Sequence, residues 1–191
     1  MAEKFVEIKF DQKKLNRLKA MLNNYPKALE KIIPRALNKT IMSARTQVTR
    51  ALATKIGIKI SAIRKLMDYT KATFYGWQAR LYISDSRIPL INFGAKQTKK
   101  GVSYTINKKS GRKTLAGAFI ATMPSGHTGV FERRWDERLP IDEKKGPSLG
   151  VVYQNAPGMA AKITAEAYKD LEKNIDVQTR LFLNKIKGAA A

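Results

Sequence analysis

Residues 71–84, KATFYGWQARLYIS, mark the point where the apolar period of the chain changes. Thr73, Tyr75, Trp77, Ala79, Leu81 and Ile83 alternate with Phe74, Gly76, Gln78, Arg80 and Tyr82. That is the two-residue period of a strand, and aromatics at this spacing are expected in the core of a sheet. Further strands are expected at residues 88–93, 102–106, 118–123 and 129–134. Pro124, Ser125, Gly126 and His127 form a turn signal that joins the last two as a hairpin. Residues 107–114, NKKSGRKT, are polar, basic and glycine-containing, as a mobile hairpin tip or loop would be.

Upstream of this point the period is helical. Leu29, Ile32, Ile33, Ala36, Leu37, Ile41, Ala44, Val48, Ala51 and Leu52 fill one face of a helix expected from about residue 26 to 56. Lys31, Arg35, Lys39, Arg45 and Arg50 lie on the other face, as a solvated or a contact surface. Pro34 falls inside this pattern, so the helix either begins near it or kinks there. Gly57 suits a C-cap, and Ser61 suits the N-cap of a short helix through Ile63, Leu66 and Met67. Residues 3–10 suggest a strand. Asp11 is a candidate N-cap for a first helix carrying Leu15, Leu18, Met21 and Leu22, broken at Tyr25-Pro26.

Downstream, Pro140, Gly146-Pro147 and Pro157-Gly158 punctuate an irregular connection. Ala160, Ile163, Ala167, Leu171, Ile175, Leu181 and Ile186 then mark a C-terminal helix from about residue 159 to 187. Helices, then strands, then a helix give an α+β class: a long amphipathic N-terminal helix, a mainly antiparallel sheet of about four to five strands, and a long C-terminal helix. A length of 191 residues fits one domain. Its expected parts are a helical region at 1–69, a sheet at 70–135 with a basic loop at 95–114, an elbow at 136–158 and the final helix at 159–187.

The chain carries 37 Lys and Arg against 15 Asp and Glu, a formal charge of +22. This is far above the magnitude of ~2–8 typical of a small soluble domain. Such a basic protein attracts polyanions without sequence preference. Residues 31–67 and 86–131 hold no acidic residue at all. The absence of Cys excludes a disulfide framework, a thiolate nucleophile and a Cys-based zinc site. The single His, His127, excludes motifs built on a histidine pair. The N-terminus MAEKFVEIKFD lacks the apolar core of a signal peptide, and no run approaches the ~18 apolar residues of a membrane span, so a soluble, intracellular chain is expected.

Catalytic constellations are thin. His127 beside Ser125 in a turn supplies no orienting group and no oxyanion hole, and a turn histidine is the simpler reading. Asp136-Glu137 and Asp142-Glu143 sit among Arg and Lys, which predicts local ion pairing, and no third ligand suggests a metal. Gly111-Arg112-Lys113-Thr114 lacks the upstream glycine of a phosphate loop. No enzyme, no metal and no cofactor is expected. Polyanion contact has more support. Lys96, Lys99, Lys100, Lys108, Lys109, Arg112 and Lys113 form a basic tract that could follow a phosphate backbone, and Phe74, Tyr75, Trp77 and Tyr104 could stack bases unless they are core residues.

From Gly117 onward an ordered series of motifs appears: Gly117-Ala118-Phe119-Ile120-Ala121-Thr122-Met123, Ser125-Gly126-His127, Gly129-Val130-Phe131-Glu132-Arg133, Arg138-Leu139-Pro140-Ile141 and Gly146-Pro147-Ser148. Together with Pro34-Arg35-Ala36-Leu37-Asn38-Lys39-Thr40, and with Ile88-Pro89-Leu90 leading to Phe93-Gly94-Ala95, this series resembles the minor tail protein Z family of long-tailed phages and prophages. The resemblance spans roughly residues 26–150 and extends to neck and tail-completion proteins. It implies a structural virion protein acting in tail completion or head–tail joining, at the head-proximal end of the tail and in several copies, with no cofactor. Its partners would be other tail or neck proteins, further copies of itself in a ring, and passing DNA contacted nonspecifically; no membrane is involved. Gly117, Phe119, Gly129, Phe131, Arg133, Leu139, Pro140, Gly146 and Pro147 carry the motif and are expected to serve scaffold and assembly. The Trp135-Asp136-Glu137 spacer has no evident role.

Overall fold

A computed structural model of the chain describes residues 4–9, 16, 18–20, 22, 25 and 27–189. The expected Asp11 cap, and Leu15 and Met21 of the first helix, lie outside the described residues. In chain order the elements are β1 (Lys4–Lys9), α1 (Ala28–Lys55), α2 (Ile60–Lys65), β2 (Met67–Thr70), β3 (Gln78–Ile83), β4 (Arg87–Pro89), β5 (Lys96–Thr98), β6 (Gly101–Tyr104) and β7 (Lys113–Ala116). They continue with β8 (Ala118–Thr122), β9 (Thr128–Arg133), β10 (Ile141–Glu143), β11 (Lys145–Ser148), α3 (Leu149–Gln154) and α4 (Met159–Ala189). The class is α+β, with the two long helices where the apolar period places them. Among the described residues no helix is long and apolar enough to cross a membrane.

The chain divides into two compact units. The first comprises Met1–Val48, Met67–Tyr82 and Pro157–Ala191; the second comprises Thr49–Leu66 and Ile83–Ala156. In the first unit, Ile32, Ile33, Ala36, Leu37, Ile41, Ala44 and Val48 of α1 are all 2% exposed or less, the face read from the sequence. The helix runs through Pro34, which is buried; the missing N–H leaves only the Glu30 carbonyl without its helical donor. Met159, Ile163, Ala167, Leu171 and Ile175 of α4 are also buried. Asn174 Nδ2 donates to Thr40 Oγ1 at 2.9 Å, and Ser43 Oγ and Gln47 Nε2 both donate to Asp170 Oδ2, at 2.7 and 3.1 Å. Partner numbers rise along α1 as they fall along α4, so the helices pack antiparallel. The apolar stripe of α4 departs from expectation at both ends: Ala160 is exposed and Leu181 is 58% exposed.

The three strands of this unit form one sheet in the order β1-β3-β2. Only the second half of the 71–84 stretch is a strand. In β3, Ala79, Leu81 and Ile83 are buried as the alternation predicts. Before it, Thr73 and Gly76 exchange two backbone hydrogen bonds, at 3.0 and 3.2 Å, and close a loop. Phe74 is 46% and Tyr75 94% exposed there, so the expectation that they are core residues is corrected. Their alternation is a coincidence of composition; the tight loop, not a pleat, directs their side chains.

The second unit holds three small sheets rather than a share of one larger sheet: β10-β9-β8, β11-β4 and β5-β6-β7. Strands of three to six residues, set off by glycine and proline, do not extend far enough to merge. The predicted hairpin over Pro124–His127 is present, with β8 and β9 paired from Ala118↔Glu132 to Thr122↔Thr128. The segment read as an irregular elbow carries β10, β11 and α3. Ser148 caps α3 by accepting from Val151 N at 3.1 Å. Ser61 does not cap α2; it lies inside that helix, whose N-cap is Lys59. Gly57 is not a left-handed C-cap either. Its N–H donates to Ile106 O at 3.1 Å, and a Cβ there would stand 2.1 Å from Thr105 O. Gly57→Ala should therefore destabilise the protein by about 1–3 kcal/mol, read as a lower midpoint in urea unfolding.

Candidate assembly surface

The motif residues collect around the β8-β9-β10 sheet and the β11-β4 pair of the second unit. Gly117, at φ 72, occupies the left-handed region that turns the chain from β7 into β8, where a side chain would be strained. Phe119 and Phe131 are register partners across β8 and β9, with ring centroids 6.3 Å apart. The Arg133 guanidinium lies over the Phe119 ring at 5.6 Å. A Cβ at Gly129 would meet both the Phe131 ring and Glu143 Oε1 at 3.0 Å, so the glycine makes room for this packing. Gly146 does the same for Phe93, a fully buried ring that a Cβ there would meet at 2.6 Å. Pro147 follows in β11 and is half-buried. His127 sits at the hairpin turn as expected, and its Nε2 is 2.8 Å from Glu143 Oε1.

Between β9 and β10 the chain forms a loop that the sequence left without a role. Arg134 N donates to Pro140 O at 3.2 Å and closes its base. The Arg134 side chain donates to both oxygens of Asp142, at 3.1 and 2.8 Å. That pair of hydrogen bonds holds the Asp142 carboxyl below its ordinary pKa and raises that of Arg134. Glu132 pairs with Lys144 and Glu143 with Lys145, so the ion pairing expected of Asp142-Glu143 is present. Asp136 and Glu137 have no such partner among the described residues. Every residue from Arg133 to Pro140 is exposed, including Trp135 at 63% and Leu139 at 65%. The Trp135-Asp136-Glu137 spacer is thus the tip of a braced, outward loop. Its sequence signal was an aromatic and a leucine embedded in charge between two strands.

The basic tract is divided by the β5-β6-β7 sheet. Lys99 and Lys100 lie at the β5–β6 turn, whereas Lys108, Lys109, Arg112 and Lys113 lie at the other end of β6, where Lys113 pairs with Tyr104. Lys96 pairs with Ser103, near that second group. Two of the seven cations hold backbone. Lys108 Nζ donates to Ala53 O at 2.6 Å, and Arg112 Nη2 reaches Gly94 O and Ser103 O, both at 3.0 Å. Of the candidate stacking aromatics, Trp77 and Tyr104 are half-buried, and Phe74 and Tyr75 stand free on a different unit from the tract.

The contrast between ring and loop tip is testable. Phe131→Ala empties a packed position and should cost about 3–5 kcal/mol. Trp135→Ala should move stability by no more than about 0.5 kcal/mol, because its ring is mostly in water. Parallel thermal melts of the two variants check this.

Comparison with protein families matches residues 12–185 to prophage minor tail protein Z (GPZ), a span that draws on both units. No curated protein and no solved structure matches the chain. With a fold of the expected class and a match over nine-tenths of its length, the chain belongs to the prophage minor tail protein Z family and is a structural component of the phage tail.

Proposed function

We propose that this chain completes the head-proximal end of the tail and takes part in joining it to the head, in several copies and without a catalytic step. The observation that carries the reading is the family match over residues 12–185. The surface fits it: the motif residues build a rigid hairpin platform, and what that platform presents to solvent is a contact loop. In this reading Arg133, Leu139 and Pro140 serve assembly, while Gly117, Phe119, Gly129, Phe131, Gly146 and Pro147 hold the platform. The protein is made in the host cytoplasm and ends in the virion, where its partners are other tail or neck proteins and further copies of itself. Electron microscopy of lysates from the source phage or prophage lacking this gene tests the role. Separate full heads and tails, or tails with an unfinished head-proximal end, are expected; normal joined particles that still infect overturn it.

A second reading, nonspecific contact with DNA, is favoured by the exposed lysines at both ends of β6 and by the solvent-facing Phe74 and Tyr75. It fits a tail protein that meets passing DNA. Affinity for duplex DNA should fall steeply between ~50 and ~200 mM salt, and reversing Lys99, Lys100, Lys109 and Lys113 to Glu should flatten that dependence. Affinity that is already flat in the unmodified protein excludes the reading.

A further inference from the structure

The C-terminal end of α1, the β6–β7 connection and the β11–α3 corner line a cleft of ≈ 370 Å³ that lies wholly within the second unit. Two of its walls are tied together. Ile56 bridges to Asn107, Gly57 N donates to Ile106 O at 3.1 Å, and Lys108 Nζ reaches Ala53 O at 2.6 Å. The third wall is built by the Gly146-Pro147-Ser148 motif. Pro147 lines the cleft, and Ser148 Oγ accepts from Val151 N at 3.1 Å, capping the helix whose Val151 and Val152 complete the apolar surface. Val151 is 41% exposed there. The polar lining is of one kind. Lys55 and Lys109 are exposed, and among the described residues their ammonium groups have no partner. Asn107 Oδ1 accepts from Lys109 N at 2.9 Å, which leaves its amide NH2 as a donor. The three segments that build the cleft, residues 49–66, 101–116 and 144–156, hold eleven Lys and Arg and no Asp or Glu.

We propose that this cleft docks an acidic peptide segment of another tail protein, with an aliphatic side chain against Pro147, Val151 and Val152 and carboxylates on Lys55 and Lys109. No carboxylate lines the cleft, so the complementary charge has to arrive with the occupant. The surrounding positive charge draws an acidic segment in, and the apolar wall selects among acidic segments by what they carry beside the charge. A nucleic-acid strand would bring negative charge too. No aromatic ring lines the cleft for a base to stack on, however, which favours the peptide. The walls are held by hydrogen bonds within the chain, so docking requires little ordering of the cleft itself. The inference rests on the reading that other tail proteins are partners of this chain, and it names the surface and the chemistry of the segment that meets it.

The test uses tails isolated from a lysate in which the full chain carries the photo-cross-linking residue p-benzoylphenylalanine in place of Gln154, an exposed position beside the cleft. Illumination should join the chain to another tail protein, and mass spectrometry should find both an aliphatic residue and an Asp or Glu close to the joined position. A joined segment without a carboxylate, an adduct to DNA or to a second copy of this chain, or no adduct in tails that contain the protein overturns the proposal. Lys55→Gln with Lys109→Gln should lower the adduct yield about tenfold, and Val151→Ser should lower it as well. Lys169→Gln with Lys173→Gln removes as much charge from exposed positions of α4 and should leave the yield unchanged. Equal losses in the two double variants would reflect bulk charge alone and overturn the site. Yield is read per copy of the chain in the tail, so a variant that folds poorly is not mistaken for one that fails to dock. The deletion phenotype is a separate readout, so the completion role and this cleft fail separately.

Discussion

Thr40 and Asn174 meet inside a largely apolar seam, and much of the first unit is set by that meeting. Two smooth helical faces can slide by a turn with little loss of buried area. A buried hydrogen bond cannot, because each misaligned partner would lose its pairing in a low-dielectric interior. Here Thr40 Oγ1 donates to Ala36 O at 2.8 Å and accepts from Asn174, so both roles of the hydroxyl are filled. Asp170 fixes the next turn by taking donors from Ser43 and Gln47. With α1 held in register, its polar flank organises the chain that follows. Asn38 pairs through both amide atoms with the backbone of Ala72, at 3.1 and 2.7 Å. Arg45 donates to Met67 O at 3.0 Å and lies over the Tyr69 ring.

The C-terminal turns of α1 do comparable work in the second unit. Ile56 bridges to Asn107, Gly57 bonds to Ile106, and Lys108 reaches back to Ala53. These contacts tie the β6–β7 connection to the helix end. Much of what looked in the sequence like a mobile, uniformly cationic tip is therefore anchored. Part of the positive charge in this region has a structural task, holding carbonyls that would otherwise face water or each other. A basic run in a sequence reports charge, but not which cations are already engaged.

Helix positions were legible because burial on one face imposes a period over many turns. In α1 the residues read as apolar face, from Leu29 to Leu52, are buried, with only Ala51 half-exposed. The strands were legible in part: β3, β8 and β9 stand where expected, whereas β2, β5, β7, β10 and β11 were not read, and Leu90–Phe93, expected as strand, forms a 3-10 turn after the short β4. A strand of three to six residues offers two or three alternations, enough to mark Ala79, Leu81 and Ile83, but not to decide which sheet receives them. Phe74 and Tyr75 show the failure most plainly. Their spacing continues that of β3, yet a reciprocal pair of bonds between Thr73 and Gly76, invisible to periodicity, turns them outward. Leu181 fails in the opposite sense: it continues the stripe of α4 past Thr179, where the cover over the stripe ends and an apolar side chain is left in a groove wall. The motif residues were legible as a set, and their physical reasons, such as room for Phe93 at Gly146, needed coordinates.

A chain of +22 repels its own copies at long range, which bears on how copies could associate at all. At physiological salt that repulsion decays over ~8 Å, so contact energetics depend on the charges that meet rather than on the total. A symmetric contact between two basic faces would place like charges together. Residues 132–145, by contrast, balance five acidic against five basic residues and carry none of that excess. Within that stretch the carboxylates are divided by role. Glu132, Asp142 and Glu143 are taken up by Lys144, Arg134, His127 and Lys145 and stiffen the base of the loop. Asp136 and Glu137 stay in water at its tip, beside Trp135. A loop with its base neutralised internally and its tip left charged is pre-organised, so ordering it on contact costs little. On a polycationic chain a charge-balanced, braced loop is a place that another surface can approach without meeting the excess positive charge.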